Sequence, residues 1–113
     1  MTFNRYQELA METADYPDIG KNLVYPAMGI AGEGGEYCDK AKKFWRNKGS
    51  MSAIDMSTVQ ATEFAKELGD VLWYIAASAR ELGYSLEKIA EMNIDKLRDR
   101  RARGVIKSEG DNR

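Results

Sequence analysis

Paired carboxylates three residues apart occur in two short segments of this chain, Ala31-Gly32-Glu33-Gly34-Gly35-Glu36 and Lys66-Glu67-Leu68-Gly69-Asp70-Val71. On an α-helix, residues three apart lie on the same face, so each pair projects two carboxylates in one direction. Two facing helices would then close four carboxylates around a cation. An all-oxygen site of this kind suits magnesium or manganese.

The spacing alone does not identify a site, because 18 acidic residues in a chain of 113 produce roughly three such pairs by chance. The sequence holds five, and we interpret Glu12/Asp15, Asp15/Asp18 and Glu36/Asp39 as solvated surface. The other two pairs stand at matching offsets beside the apolar stripe of their helices, so they are expected to flank a core. A carboxylate there needs a compensating cation or donor, or it must reach back to water along its own stem.

Three glycines surround the first acidic pair, at positions 32, 34 and 35. Each weakens a helix by about 1 kcal/mol relative to alanine, which is unfavourable for a purely structural segment. We therefore expect another backbone or a ligand to approach the helix closely at this point.

The composition excludes several classes of function. A length of 113 residues predicts one domain, 1–113, small enough for oligomerisation to add stability. The net charge of −1, from 17 basic and 18 acidic residues, gives no general attraction to nucleic acid or anionic membranes. The absence of histidine excludes Ser-His-Asp and Cys-His nucleophile systems and imidazole-based zinc sites, and it disfavours di-iron bundles built on Glu-x-x-His motifs.

The single cysteine, Cys38, rules out an intramolecular disulfide and favours a reducing compartment. Its place in the apolar stripe predicts a small core residue. The N-terminus shows no apolar signal region, and the longest apolar run, 71–77, is too short to span a bilayer. We expect a cytoplasmic protein that does not enter the membrane.

Helical periodicity predicts an all-α fold, with helices at about 2–16, 26–47, 57–82 and 85–101 and a basic tail at 102–113. The predicted start and stop signals are Pro26, Gly49, the capping box Ser57/Gln60, Gly83 and Ser85. From residue 96 onward, seven basic and three acidic residues give a local excess of +4. Such a segment is disordered or folds over a polyanion.

Three motifs, in their order along the chain, resemble the MazG-like family of all-α nucleoside triphosphate pyrophosphohydrolases. They are Gly32-Glu33-Gly34-Gly35-Glu36, Glu67-Leu68-Gly69-Asp70-Val71-Leu72-Trp73-Tyr74 and Asn93-Ile94-Asp95-Lys96-Leu97. The resemblance covers roughly residues 25–113, and the segments 103–107 and 110–113 are similar to the tail of small single-domain bacterial and phage members. Ser108-Glu109 departs from that pattern, which leaves the role of the tail in phosphate binding open.

The resemblance implies a four-helix bundle-like protomer that assembles as a homodimer or a dimer of dimers. It also implies magnesium-dependent hydrolysis of nucleoside triphosphates to a nucleoside monophosphate and pyrophosphate, in nucleotide-pool housekeeping. By position, the implied metal ligands are Glu33, Glu36, Glu67 and Asp70, and the positions associated with substrate are Tyr74, Asn93 and Lys96. Arg100, one turn beyond Lys96, is a further candidate for the phosphates.

Charge considerations agree with this assignment. A triphosphate carries about four negative charges, so a site of four carboxylates repels it unless divalent ions lie between them. Magnesium is the expected ion, with manganese possible. Glu33 and Glu36 are the candidates for a general base toward the attacking water, and the sequence does not choose between them.

Two non-catalytic functions also fit the sequence. One is a helical interaction module whose basic tail contacts nucleic acid, although near neutrality makes a nucleic-acid partner the less favoured choice. The other is a bundle that a divalent ion stabilises without turnover. For Lys96 and Arg100, the alternative to phosphate binding is an ordinary solvated face. The preferred base or sugar, and the choice between dimer and tetramer, are not determined by the sequence.

Overall fold

The computed structural model describes residues 1–104, and within that range every regular element is helical. The four α-helices are α1 (Phe3–Met11), α2 (Val24–Lys48), α3 (Thr58–Glu81) and α4 (Leu86–Ala102), and a 3₁₀ turn at Ala53–Asp55 joins α2 to α3. The predicted all-α class with four helices is thereby confirmed. In the described part of the chain, no helix combines the length and apolarity that crossing a membrane requires.

The helix ends follow the local signals in the sequence. At the start of α3, the Ser57 hydroxyl accepts the Gln60 N–H at 3.1 Å, and the Gln60 side chain accepts the Ser57 N–H at 2.9 Å. Ser85 accepts the Lys88 N–H at the start of α4. Gly49, at the end of α2, adopts the left-handed conformation, with φ of 70°. Residues near each end therefore fix these boundaries.

The first helix is shorter than predicted, since it ends at Met11 instead of continuing to residue 16. The carbonyl of Ala10 accepts the Thr13 hydroxyl at 2.7 Å and the indole N–H of Trp73 at 3.1 Å. A tertiary contact from α3 thus helps to satisfy a carbonyl at the end of α1. Tyr16, predicted in helix, instead lies buried in the loop that follows.

This loop, residues 12–23, is anchored on the carboxylate of Glu81 at the end of α3. That carboxylate accepts the Tyr16 hydroxyl at 2.6 Å, the Gly20 N–H at 2.8 Å and the Asn22 N–H at 2.9 Å. The hydrogen bond from Tyr16 and those from the two backbone groups hold the pKa of Glu81 below its usual value. The loop is therefore tied to α3 by an ionised side chain.

The most extensive packing joins α2 to α3, while α1 and α4 lie against α3. Tyr37 and Phe44 of α2 both meet the ring of Phe64 edge-on, and Gly29, earlier in α2, meets Tyr74, later in α3. The two helices are therefore antiparallel. The buried apolar residues of the described chain are Ala10, Tyr16, Pro26, Phe44, Ala76, Ala77, Ala79 and Leu86. The three α3 alanines let neighbouring helices approach closely.

Within the protomer, a side chain approaches α2 closely at Gly29, and the approach of a ligand or another chain expected at Gly32, Gly34 and Gly35 stays a prediction. A Cβ atom at Gly29 would overlap Cδ1 of Tyr74, whereas Cβ atoms at Gly32, Gly34 or Gly35 would meet nothing within 4 Å among residues 1–104. Only glycine leaves room for the Tyr74 ring to lie against the α2 backbone.

Gly29→Ala should therefore destabilise the protein, by about 1–3 kcal/mol, because the Tyr74 ring is packed on α3 and has to move. Gly34→Ala on the same helix should be neutral or stabilising by up to about 1 kcal/mol, since its added methyl group meets open space. Urea unfolding followed by circular dichroism measures both changes. Equal stabilities of the two variants would contradict the packing of Tyr74 on Gly29.

Candidate metal centre

Three of the four predicted carboxylates converge between α2 and α3. Glu33, Glu67 and Asp70 each place one carboxylate oxygen within 4.8 Å of those of the other two. Glu33 and Glu67 are partly buried, and Asp70 is exposed. Oxygens brought together in this way match the donor type that Mg²⁺ and Mn²⁺ prefer.

Glu33 lies in the contact between α2 and α3, opposite Glu67 and Asp70. Burial raises the pKa of Glu33 above its usual value, and the negative charges of Glu36, Asp70 and Glu67 raise it further. A divalent cation at this point would relieve both effects.

One oxygen of Glu67 lacks a hydrogen-bond donor. Its Oε2 atom is buried and accepts no hydrogen bond from residues 1–104, while its Oε1 atom lies 3.8 Å from the ammonium of Lys40. The side chain of Glu67 is only 14% exposed. An anionic oxygen shielded from water is unfavourable unless a cation or a donor compensates it.

Glu36 lies one turn beyond Glu33, is exposed, and stands outside the converging group. Its charge nevertheless contributes to the raised pKa of Glu33. The structure thus assembles three of the four predicted ligands in one protomer and leaves the fourth at the edge of the cluster.

An open cleft of about 290 Å³ adjoins the carboxylates and is lined by Thr13, Glu33, Asp70, Trp73 and Tyr74. Tyr74, predicted to contact substrate, therefore borders the acidic cluster. Burial is the main cause that raises the pKa of its hydroxyl, and the neighbouring Tyr25 and the charges of Glu33 and Asp70 add to the effect. The hydroxyl stays protonated near neutrality and is able to donate a hydrogen bond.

Aromatic rings extend from this cleft toward the 12–23 loop. The ring of Tyr16 is stacked on that of Tyr25 at 5.1 Å, and Tyr25 lies 6.4 Å from Tyr74. Tyr16 also donates a hydrogen bond to Glu81. A continuous series of ring contacts therefore joins the loop to the cleft.

The three α4 candidates lie apart from the residues that line this cleft. Asn93 and Lys96 are exposed on α4, a helix that packs against α1 and α3. Arg100 is only 3% exposed, so it does not belong to the solvated face that was the alternative for it. Their assignment to substrate stays a prediction. The tail from residue 105 lies outside the described residues, so its expected role is untested.

Sequence reasoning missed three residues of the site. Lys40 follows Glu36 by four positions on α2, and that spacing was a usable signal for a shared helix edge. Trp73 precedes Tyr74 and lines the cleft, although a tryptophan on a bundle helix is typical of packing or of a subunit contact. Thr13 was assigned to a helix and reaches the cleft because α1 ends early, which no local pattern indicates.

Cys38 was predicted in the core but is exposed. It lies on the side of α2 that faces away from α3, together with the 58% exposed Trp45. The predicted apolar stripe of α2 therefore spans two faces of the helix. The face with Tyr37 contacts α3, and the face with Cys38 and Trp45 is exposed.

The sequence was compared with known protein families, proteins and solved structures. Residues 27–105 match the sequence profile of the MazG nucleotide pyrophosphohydrolase domain. A relative from Mycobacterium phage L5, named Gene 37 protein, is 41% identical over 114 residues, covering 96% of each chain. No solved structure matches the chain significantly. The matched range holds all four acidic positions but not Thr13, which α1 and its loop contribute.

Glu33→Gln should stabilise the protein in EDTA at pH 7, raising the melting temperature by about 2 °C, because it removes one of several neighbouring like charges. The raised pKa of Glu33 means that its protonated form fits the folded state better. The associated stability is complete below the ordinary pKa of 4.5 and is lost as the pH rises through the raised value.

The difference between Glu33→Gln and the wild type should accordingly vanish near pH 4 in thermal unfolding followed by circular dichroism. Glu91→Gln, on the exposed surface of α4, serves as the control and should change little at any pH. A melting temperature of Glu33→Gln at or below that of the wild type in EDTA at pH 7 would show that the cluster is not electrostatically strained.

Proposed function

The chain belongs to the MazG nucleotide pyrophosphohydrolase family, and we propose on that basis that it hydrolyses nucleoside triphosphates to nucleoside monophosphates and pyrophosphate with Mg²⁺. Mn²⁺ is the alternative ion, and nucleotide-pool housekeeping is the proposed cellular role. The observation that carries the proposal is the convergence of Glu33, Glu67 and Asp70, whose ligand oxygens lie within 4.8 Å of one another.

Glu33, Glu36, Glu67 and Asp70 are the proposed metal ligands. The buried, unpartnered Oε2 atom of Glu67 supports this role, since a bound cation would supply the compensation that the protein does not. When bound, the metal would neutralise phosphate charge and lower the pKa of a coordinated water. Glu33 and Glu36 stay the candidates for the group that accepts the proton of that water.

Tyr74 is the best supported of the proposed substrate residues. Its ring is fixed against the backbone at Gly29, and its side chain borders the same cleft as Glu33 and Asp70. A hydroxyl held there would donate to a phosphate or sugar oxygen of the nucleotide. Asn93, Lys96 and Arg100 are proposed to complete substrate binding from α4.

We also propose that the protein works as a homodimer or a dimer of dimers. Exposed residues on the side of α2 away from α3 alternate at spacings of four and three, the pattern of helices that pack on one another. They are Val24, Met28, Ala31, Gly35, Cys38, Lys42 and Trp45. We call this stripe the outer α2 face. Val24 and Met28 are 65% and 68% exposed, which is unfavourable for a solitary protomer.

Glu67→Gln should reduce activity by about 10²-fold or more, because it weakens the metal site on which charge neutralisation depends. Glu63→Gln is the matched control: it lies one turn earlier on α3, is 51% exposed and pairs with Lys66. Purified protein is incubated with a panel of normal and damaged nucleotides, with and without Mg²⁺, and pyrophosphate and orthophosphate are measured separately.

Full activity of Glu67→Gln would refute the site. Release of orthophosphate alone would refute the reaction class even if turnover were Mg²⁺-dependent. Absence of turnover on every nucleotide would favour a non-catalytic helical module.

Met28→Lys should shift the protein toward monomers, because it replaces a 68% exposed apolar side chain of the proposed contact with a charge. Met92→Lys is the matched control, since Met92 is 46% exposed on α4, away from the outer α2 face. Light scattering coupled to size-exclusion chromatography reports mass against 12.7 kDa for one chain. A monomeric wild type, or an unchanged mass of Met28→Lys, would contradict this interface.

A further inference from the structure

We propose that Lys40 links metal binding to nucleotide binding: its ammonium neutralises Glu67 until a divalent ion binds, and then moves to the phosphates of the nucleotide. This inference rests on the proposed function of the site. It assigns to Lys40 a role in binding substrate and in coupling the affinities for metal and nucleotide.

The position of Lys40 supports this role. Its Nζ atom lies 3.8 Å from Oε1 of Glu67, so the ion pair crosses from α2 to α3 at the cluster. Lys40 follows Glu33 by seven residues and Glu36 by four, which places all three along one edge of α2. The ammonium therefore stands beside the carboxylates and not at a remote point on the helix.

The two sides of this ion pair differ in their surroundings. The Glu67 side chain is 14% exposed, whereas that of Lys40 is 38% exposed. Glu67 is thus held in the helix contact, while Lys40 approaches it from the solvent side. A lysine with a flexible four-carbon stem is able to leave such a pair without any movement of the backbone.

Neighbouring cations on α2 are engaged differently. Lys42 and Lys43 lie 3.1 Å and 2.7 Å from oxygens of Asp39 on their own helix, and their side chains are 66% and 53% exposed. Those pairs follow the ordinary helical spacing of three or four residues and stay on the surface. Lys40 instead reaches a carboxylate that belongs to the proposed metal site.

Electrostatics then dictates the exchange. A divalent cation held by Glu33, Glu67 and Asp70 would take over the neutralisation of Glu67 and repel the nearby ammonium. A nucleoside triphosphate brings about four negative charges to the same place, and these charges attract the Lys40 ammonium. Lys40 should therefore oppose binding of the metal alone and favour binding of the metal with nucleotide, a positive coupling between the two ligands.

The test compares Lys40→Met with Lys42→Met, which removes the same charge from the same helix two residues further along. Mn²⁺ binding without nucleotide is measured by electron paramagnetic resonance. Lys40→Met should bind Mn²⁺ about 5-fold more tightly than the wild type, because a like charge is removed.

The second measurement is KM for the magnesium complex of the nucleotide on which the wild type is most active. Lys40→Met should raise KM about 10-fold, because a charge-assisted contact to phosphate is lost. Lys42→Met should change both quantities by less than about 2-fold, as expected for an exposed surface pair. Lys40→Arg, which keeps the charge, should restore most of the wild-type Mn²⁺ affinity.

The opposite signs of the two effects separate this role from mere structural support. If Lys40→Met weakens both Mn²⁺ and nucleotide binding, or behaves as Lys42→Met does, the inference about Lys40 is wrong. If the wild type binds Mn²⁺ but releases no pyrophosphate from any nucleotide, the proposed function itself fails, and the coupling with it. Tighter Mn²⁺ binding together with a raised KM supports the proposal.

Discussion

The contact between the two longest helices has to accommodate a group of like charges. Glu33 from α2 and Glu67 and Asp70 from α3 meet where apolar residues would stabilise the pair more simply. Burial and mutual repulsion raise the pKa of Glu33, and one buried oxygen of Glu67 has no hydrogen-bond donor among the described residues. Aromatic contacts of Phe64 on one side and the packing of Tyr74 on Gly29 on the other keep the helices in register around this unfavourable centre. If the cluster binds a cation as proposed, the protein gives up stability here for a preformed site.

Local sequence signals predicted the helices well wherever the cause of a boundary lay close to it in the chain. Ser57 with Gln60, Gly49 and Ser85 act through hydrogen bonds or backbone freedom within a few residues, so their effects could be recognised directly. The end of α1 was different. The Ala10 carbonyl receives the indole N–H of Trp73, a residue 63 positions away, and no pattern within α1 indicates that contact.

The candidate site was predictable in its residue types and less so in its geometry. Spacing identified Glu33, Glu67 and Asp70, but it could not show which side of the broad apolar stripe on α2 would face α3. Cys38 and Trp45 share that stripe with Tyr37, yet the first two are exposed while Tyr37 meets Phe64. Hydrophobic periodicity indicates which side of a helix is apolar. It does not indicate whether that side packs against the same chain or against another one.

Helix α2 connects the acidic cluster with the proposed assembly. Because α2 presents Glu33 toward α3 and the outer α2 face in the opposite direction, one helix serves both the cluster and the proposed contact between copies. The side chain of Asn22 accepts the Tyr25 N–H at 3.0 Å at the start of helix α2, but the helix contains the glycines 29, 32, 34 and 35 and has an exposed outer side. Its intrinsic helical stability is therefore low. A second copy packed on the outer α2 face would stabilise the backbone that carries Glu33 and Lys40. The positions of these two charges would then depend on the contact between copies.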